Sequence, residues 1–189
     1  MPRFAFKEWA VVCRALAEGR QAVILRKGGI AEEGGVFLPD HTRFWLFPTY
    51  LHQNPDGLKP GDAGRFPEID CDRPPADTVR LTHYVAVPGV FRADRLDQVL
   101  DLASFHVWSE STVRLRFAYR QPGLYVLPAR VYTAPDTIEV ANRPEYEGCK
   151  TWVDLGIEFP EVGVPVLSDR AFADVLDAIG RSMYPTGVA

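Results

Sequence analysis

Between Thr112 and Val131 the chain alternates so regularly that few local structures are open to it. Val113, Leu115, Phe117 and Tyr119 interleave with Arg114, Arg116, Ala118 and Arg120. A period of two predicts a strand with one apolar and one charged face. Gln121-Pro122-Gly123 supplies a turn, because proline fixes φ and glycine accepts positive φ. Leu124 to Val131 then reads as the return strand of a hairpin. A two-residue loop would set Leu115 against Arg130 and Arg120 against Tyr125, mixing apolar with charged. A three-residue loop pairs Tyr119 with Tyr125, Phe117 with Leu127 and Val113 with Val131. It also sets Arg114 opposite Arg130. A slip of one residue inverts a strand's burial, so the register with the consistent apolar face is preferred.

That register predicts one exposed face carrying Arg114, Arg116, Arg120 and Arg130. Like charges facing each other destabilise a sheet unless acidic neighbours or a bound anion neutralise them. Successive residues on one face lie roughly 6.5 to 7 Å apart, a spacing that can follow the phosphates of a single strand. The planar guanidinium fork suits that task, donating two parallel hydrogen bonds. A solvated face balanced by Glu110, Glu139 or Glu145 is the alternative, and a protein partner is a third.

Elsewhere two periods share the chain. Trp9, Val12, Cys13 and Leu16 recur at helical spacing, with Phe6 one turn earlier, and predict an N-terminal helix over about Ala5 to Glu18. Gly19 ends it. Gln21 to Arg26 reads as a buried strand, Arg43 to Phe47 as a second, and Val79 to Val87 as a third stopping at Pro88-Gly89. Asp94 is expected to cap a short helix reaching about Leu102. Ser168 is expected to cap a C-terminal helix presenting Phe172, Val175, Leu176 and Ile179. Asn54 to Thr78 holds five prolines, three glycines and five aspartates, so no period survives and a long loop is expected. The fold class is α+β: a single mixed domain over residues 1–183, with a largely antiparallel sheet, an N-terminal helix and a C-terminal helix. Residues 184–189 are expected to form a flexible tail.

Charge and cysteine usage narrow the function. The formal charge is −4, from 21 basic and 25 acidic residues, which argues against a strongly basic coat protein. Residues 54–78 hold six acidic side chains against three basic ones, a net −3, which leaves −1 for the rest. Cys13, Cys71 and Cys149 cannot all pair, so a reducing compartment is expected. No signal-peptide core or 18-residue apolar run is present, so the expectation is a cytoplasmic protein with no membrane contact.

Several short clusters carry chemistry. Arg26-Lys27-Gly28-Gly29 resembles the edge of an anion-binding loop, since glycines expose backbone N–H groups. It lacks Walker or dinucleotide spacing, and no cofactor is expected. The aromatic block His41 to Gln53 and the stretch Phe105 to Trp108 offer Trp45, His52, His106 and Trp108 as stacking or base-contact groups. Core packing is the competing reading for each. Lys150 and Trp152 form a further polar-aromatic cluster. His41, His52, His83 and His106 have no metal-ligand spacing and no CxxC pair occurs, so no metal site is expected. Glu68, Asp70 and Asp72, or Glu145 and Glu147 with Lys150, are the carboxylate sets a nuclease would draw on. Cys149 with a histidine is the only candidate thiol nucleophile, and no catalytic residue is assigned.

The blocks FKEWAVVCRAL, ILRKGG, FWLFPTYLHQ, FHVW, RVY and YEGCKTWVDL, taken together, resemble an uncharacterised bacterial family numbered 1802 among the domains of unknown function. The resemblance runs from Phe6 to about Leu155. It implies a link, in some members, to restriction-endonuclease-like domains, and hence a role or protein partner beside DNA restriction. It carries no catalytic residues. The expected function is a nucleic-acid-binding accessory module, with DNA or RNA as partner. A small metal-dependent hydrolase or nuclease and a non-catalytic protein-interaction domain are the alternatives.

Overall fold

The computed structural model describes residues 2–27, 41–148, 150–158, 160 and 162–184. In chain order the elements are β1 (Phe4–Trp9), α1 (Ala10–Ala17), β2 (Val23–Arg26), β3 (Arg43–Thr49), α2 (Pro60–Ala63), α3 (Phe66–Cys71), β4 (Thr78–Ala86) and β5 (Phe91–Ala93). They continue as α4 (Leu96–Leu100), α5 (Glu110–Ala118), β6 (Leu124–Pro128), β7 (Arg130–Ala141), β8 (Trp152–Asp154), β9 (Val164–Pro165) and α6 (Asp169–Met183). Six strands form one sheet in the order β8-β1-β3-β4-β7-β9, and β2-β6-β5 form a second. Only β1 and β3 pair in parallel. The α+β class, the largely antiparallel sheet and the C-terminal helix are therefore as expected.

The alternating faces of the larger sheet are buried on both sides. Phe44 and Leu46 face a core shared with α1, α6 and the smaller sheet, whereas Trp45 and Phe47 face a second cluster with Ala5, Leu81, Tyr84 and Val153. The sequence required one of these faces to pack; the fold packs both. Ser168 caps α6 by accepting a hydrogen bond from the Ala171 N–H at 3.1 Å, and Phe172, Val175 and Ile179 are buried, while Leu176 is half-buried. No helix among the described residues is long and apolar enough to cross a membrane.

Four expectations are corrected. The N-terminal helix begins only at Ala10, because Phe4–Trp9 is drawn into the sheet between β3 and β8. Asp94 does not cap α4; Gln98 reaches back instead, its Oε1 accepting from the Asp94 and Arg95 N–H groups at 3.0 Å each. Residues 54–78 are not without regular structure, since α2, α3 and a 3-10 turn at Pro55–Gly57 lie there, each opening with proline in its first turn.

The largest correction falls on the hairpin. Residues 110–118 form α5, not a strand. Ser109 accepts from the Thr112 N–H at 3.3 Å, and Glu110 pairs with Arg114 one turn on. Val113 and Phe117, four apart, are the buried pair, while Leu115 is 73% and Tyr119 is 55% exposed. The strand that follows pairs with β2 and β5, and β7 pairs with β4, so Arg130 lies opposite Ala86 rather than Arg114. The turn itself stands: Gly123 has φ +122, and a Cβ there would meet the Arg92 guanidinium at 2.5 Å.

Candidate functional site

Three segments bring charged side chains to the end of β1. Alternation along that strand puts Glu8 on the side of Phe6, and the Glu8 Oε1 accepts only from its neighbour, the Trp9 N–H, at 2.9 Å. The smaller sheet delivers Arg26 as the last residue of β2. Its guanidinium lies over the Phe6 ring at 5.0 Å and donates to Thr151 Oγ1 at 2.7 Å. The third segment, residues 105–108, is strapped down from two sides. The buried Gln21 Oε1 accepts from the Val107 N–H, and the Lys59 N–H donates to the Val107 carbonyl at 2.9 Å. Trp108, bridged to Leu58, is thereby fixed beside Trp9, with ring centroids 5.2 Å apart. Residues 57–59, within the acidic segment, thus serve as its clamp.

Arg116, on α5, stacks on the Trp108 ring at 3.6 Å. Arg26 and Arg116 are both half-buried, and burial lowers the pKa of each while the Glu8 carboxylate raises it; Arg116 also feels the charge of Arg26. Both guanidiniums stay protonated at neutral pH. Among the described residues no ion pair joins Glu8 to either arginine, and Arg116 makes no hydrogen bond at all. Two cations therefore share one carboxylate that does not touch them.

Behind this cluster lies His106, 3% exposed, with no hydrogen-bond partner for either ring nitrogen among the described residues. Burial, with Lys59 and Arg116 adding to it, lowers its pKa to about 4, so the ring is neutral at pH 7. Arg26, Arg116, His106 and Trp108 are the four sequence candidates that the fold gathers.

The other six go elsewhere. Lys27 spends its three donors on the carbonyls of Phe117, Gln121 and Gly123, where α5 ends and its carbonyls lack helical partners. Arg130 is 8% exposed and ties down the start of α6 through the Leu167 and Ser168 carbonyls and Asp169. Arg114 pairs with Glu110 at 2.7 Å on an exposed face, and Arg120 stacks on its neighbour Tyr119 at 5.1 Å. Trp45 is fully buried and donates to the Pro2 carbonyl. His52 is exposed at positive φ, away from these groups. Gly28 and Gly29 of the expected anion loop, and Cys149, lie outside the described residues.

Glu8, Trp9 and Thr151 were missed as site residues. An expected helix over Ala5 to Glu18 hid the strand alternation that aligns Glu8 with Phe6. The carboxylate sets considered for a metal are dispersed: Glu68 pairs with Arg65, Asp72 with Arg14, and Lys150 donates to the Glu145 carbonyl. Among the described residues no three of His, Cys, Asp and Glu are grouped to hold a metal ion.

A separate groove of about 550 Å³ runs between α1 and the strands β4 and β7, lined in part by Arg14, Tyr50, Asp72, Arg80, His83 and Thr133. Its charges are matched. Arg14 pairs with Asp72, and Arg80 with Glu139 at 3.4 Å. His83 is held between the Thr82 and Thr133 hydroxyls at 2.8 and 3.2 Å, and burial lowers its pKa to about 4, with the charge of Arg14 adding to it.

A family model described as a domain of unknown function, DUF1802, matches residues 5–178. No curated protein matches the chain. Among solved structures, ASCH from Zymomonas mobilis matches at 13% identity and TM-score 0.41, over 75% of this chain and 88% of that one. A point mutant of the same protein matches at 11% identity and TM-score 0.43, over 92% and 96%. Likenesses at TM-scores this low say nothing of a ligand.

Proposed function

We propose, from the premise that this chain belongs to the DUF1802 family, that it is a nucleic-acid-binding module whose contact site is the cluster of Arg26, Arg116, Glu8 and Trp108. One observation carries the reading: two half-buried guanidiniums share a single carboxylate that neither contacts, against tryptophan and phenylalanine rings. Leaving charge-bearing donors unpaired and partly desolvated is costly, and a bound anion repays that cost with charge-assisted hydrogen bonds. A phosphate of a single strand is such an anion, and aromatic rings beside it suit unstacked bases. The mechanism is binding alone. Charge steers association, and the ring-walled cluster selects.

A protein-interaction role finds less support here, because the arginine that is sealed by an acidic side chain is Arg114, on the outer face of α5. A hydrolase would need acids converging on a reacting group, and the acids named above are spread over different pairs. Work beside a restriction-type nuclease is the finer form of the binding reading, and it rests on the family resemblance; co-purification of such a nuclease with the tagged chain tests it.

The direct test is titration of short single- and double-stranded DNA and RNA by fluorescence anisotropy across salt. Binding is expected at low salt, with a weaker salt dependence once Arg26 and Arg116 are changed to glutamine. For two phosphate contacts on a single strand the slope of log K against log salt should drop by about 1.4. Absence of binding at low salt, or an unchanged slope in the double variant, sinks the proposal.

A further inference from the structure

Glu8 is out of place in a site built only for phosphate. It cancels one of two positive charges and would repel the anion, yet it makes no ion pair that would explain it as a strut for Arg26 or Arg116. Its single hydrogen bond, from the Trp9 N–H, leaves most of its lone-pair sites unused. A ligand that satisfies this group must bring N–H or O–H donors as well as acceptors.

The fixed plane of Arg116 adds a second constraint. A guanidinium that meets only phosphate needs no set orientation, whereas one stacked on Trp108 at 3.6 Å holds its in-plane N–H pairs ready for two adjacent acceptors. Guanine matches both demands. Its O6 and N7 accept a bidentate arginine fork, the commonest specific contact made to that base. Its N1–H and N2–H are two adjacent donors, which a carboxylate can accept together. Adenine and cytosine each turn a ring-nitrogen lone pair towards the same carboxylate. Uracil offers one donor flanked by carbonyls.

We infer that the cluster selects an unpaired guanine, with the Arg116 fork reading O6 and N7, the Glu8 carboxylate reading N1–H and N2–H, and Arg26 taking an adjoining phosphate. This inference rests on the nucleic-acid reading above. The base must be unpaired, since pairing occupies the edge that Glu8 reads. Thr151 Oγ1, already accepting from Arg26, holds that guanidinium at the phosphate position.

The test uses the full chain and labelled hexauridylates carrying one central guanosine, inosine, adenosine or cytidine, measured at one salt concentration. Guanosine is expected to bind about 10-fold tighter than adenosine, the usual discrimination of one good bidentate pair. Inosine, which lacks the N2 amino group, should fall between them. Glu8→Gln should collapse the guanosine-to-adenosine ratio towards one and tighten the adenosine oligonucleotide, because a like charge is gone. If the wild-type ratio lies within twofold while all four oligonucleotides bind, the guanine inference is overturned and the nucleic-acid reading stands. The same holds if Glu8→Gln keeps the full preference. If none binds at low salt, the reading itself falls. Should Glu8→Gln fold poorly, the wild-type base series decides alone.

Discussion

The cluster at Arg26 and Arg116 and the groove at Arg14 and Arg80 are made of similar residues and differ in what those residues touch. In the groove, arginines meet carboxylates, and His83 is hydrogen-bonded at both ring nitrogens. In the cluster, arginines lie on Trp108 and Phe6, the carboxylate stands off, and His106 has no partner for either nitrogen. The groove has the open volume; the cluster has the unspent hydrogen-bonding capacity. Capacity left unspent in a half-buried place costs free energy, so it marks a ligand site more sharply than space does.

The largest expected effect divides the two regions directly. Changing Arg26 and Arg116 to alanine should weaken single-strand binding at least about 100-fold, given roughly 1.5–3 kcal/mol for each charged hydrogen-bonding group removed. Changing Arg14 and Arg80 to alanine should weaken it less than about twofold, because those charges are already matched. Equal losses in the two double variants, read by anisotropy, would erase the distinction.

Acid titration compares the two histidines. Both fold with pKa values near 4, against 6.5 for the free side chain. The unfolded chain therefore binds more protons between those values, and stability falls as pH drops from about 6.5 towards 4, having been fully present above 6.5. Each group contributes a slope approaching about 1.4 kcal/mol per pH unit. Denaturant melts across that range should show a shallower slope in His106→Leu. That variant should keep or gain stability at pH 7, since it removes a buried polar ring with no partner. Stability lost at pH 7 in His106→Leu would mean the ring is satisfied after all.

Two smaller effects complete the series. Arg116→Lys keeps the charge and loses the stacked fork, so a loss of about 10-fold in single-strand affinity is expected with the salt slope nearly intact. Asp72→Asn breaks an exposed ion pair in the groove and should cost under about 1 kcal/mol in thermal or denaturant melts, with no change in binding.

Where the residues admitted one period only, the fold was legible. Ser168 followed by Phe172, Val175 and Ile179 is a capped amphipathic helix and nothing else, and Arg43 to Phe47 could hardly avoid being a strand. Two segments fitted both periods. Val113 and Phe117 belong equally to a strand face at every second residue and to a helix face at every fourth. Leu115 and Tyr119 tipped the pattern towards a strand that the structure does not contain, and both are left exposed on α5. At the N-terminus, Phe6 and Trp9 extend the helical spacing of Val12 and Leu16 backwards, and no proline or glycine marks where strand gives way to helix. The site was half legible for the same reason. Arg26, Arg116, His106 and Trp108 could be chosen by residue type, but Glu8 depends on knowing that β1 is extended.

From its own residues alone this chain determined its class, its C-terminal helix, its central strands and the kinds of side chain available for binding, because caps, turns and local periodicity act between neighbours in sequence. Tertiary structure decided that Phe4–Trp9 enters the sheet, that residues 110–118 coil, and that β6 pairs with β2 instead of doubling back. Those choices turn on burying faces against partners more than a hundred residues apart, such as Phe6 against Trp152. Only after they are made do Glu8, Arg26 and Arg116 come within reach of one another, since electrostatic coupling depends on distance in space and not along the chain.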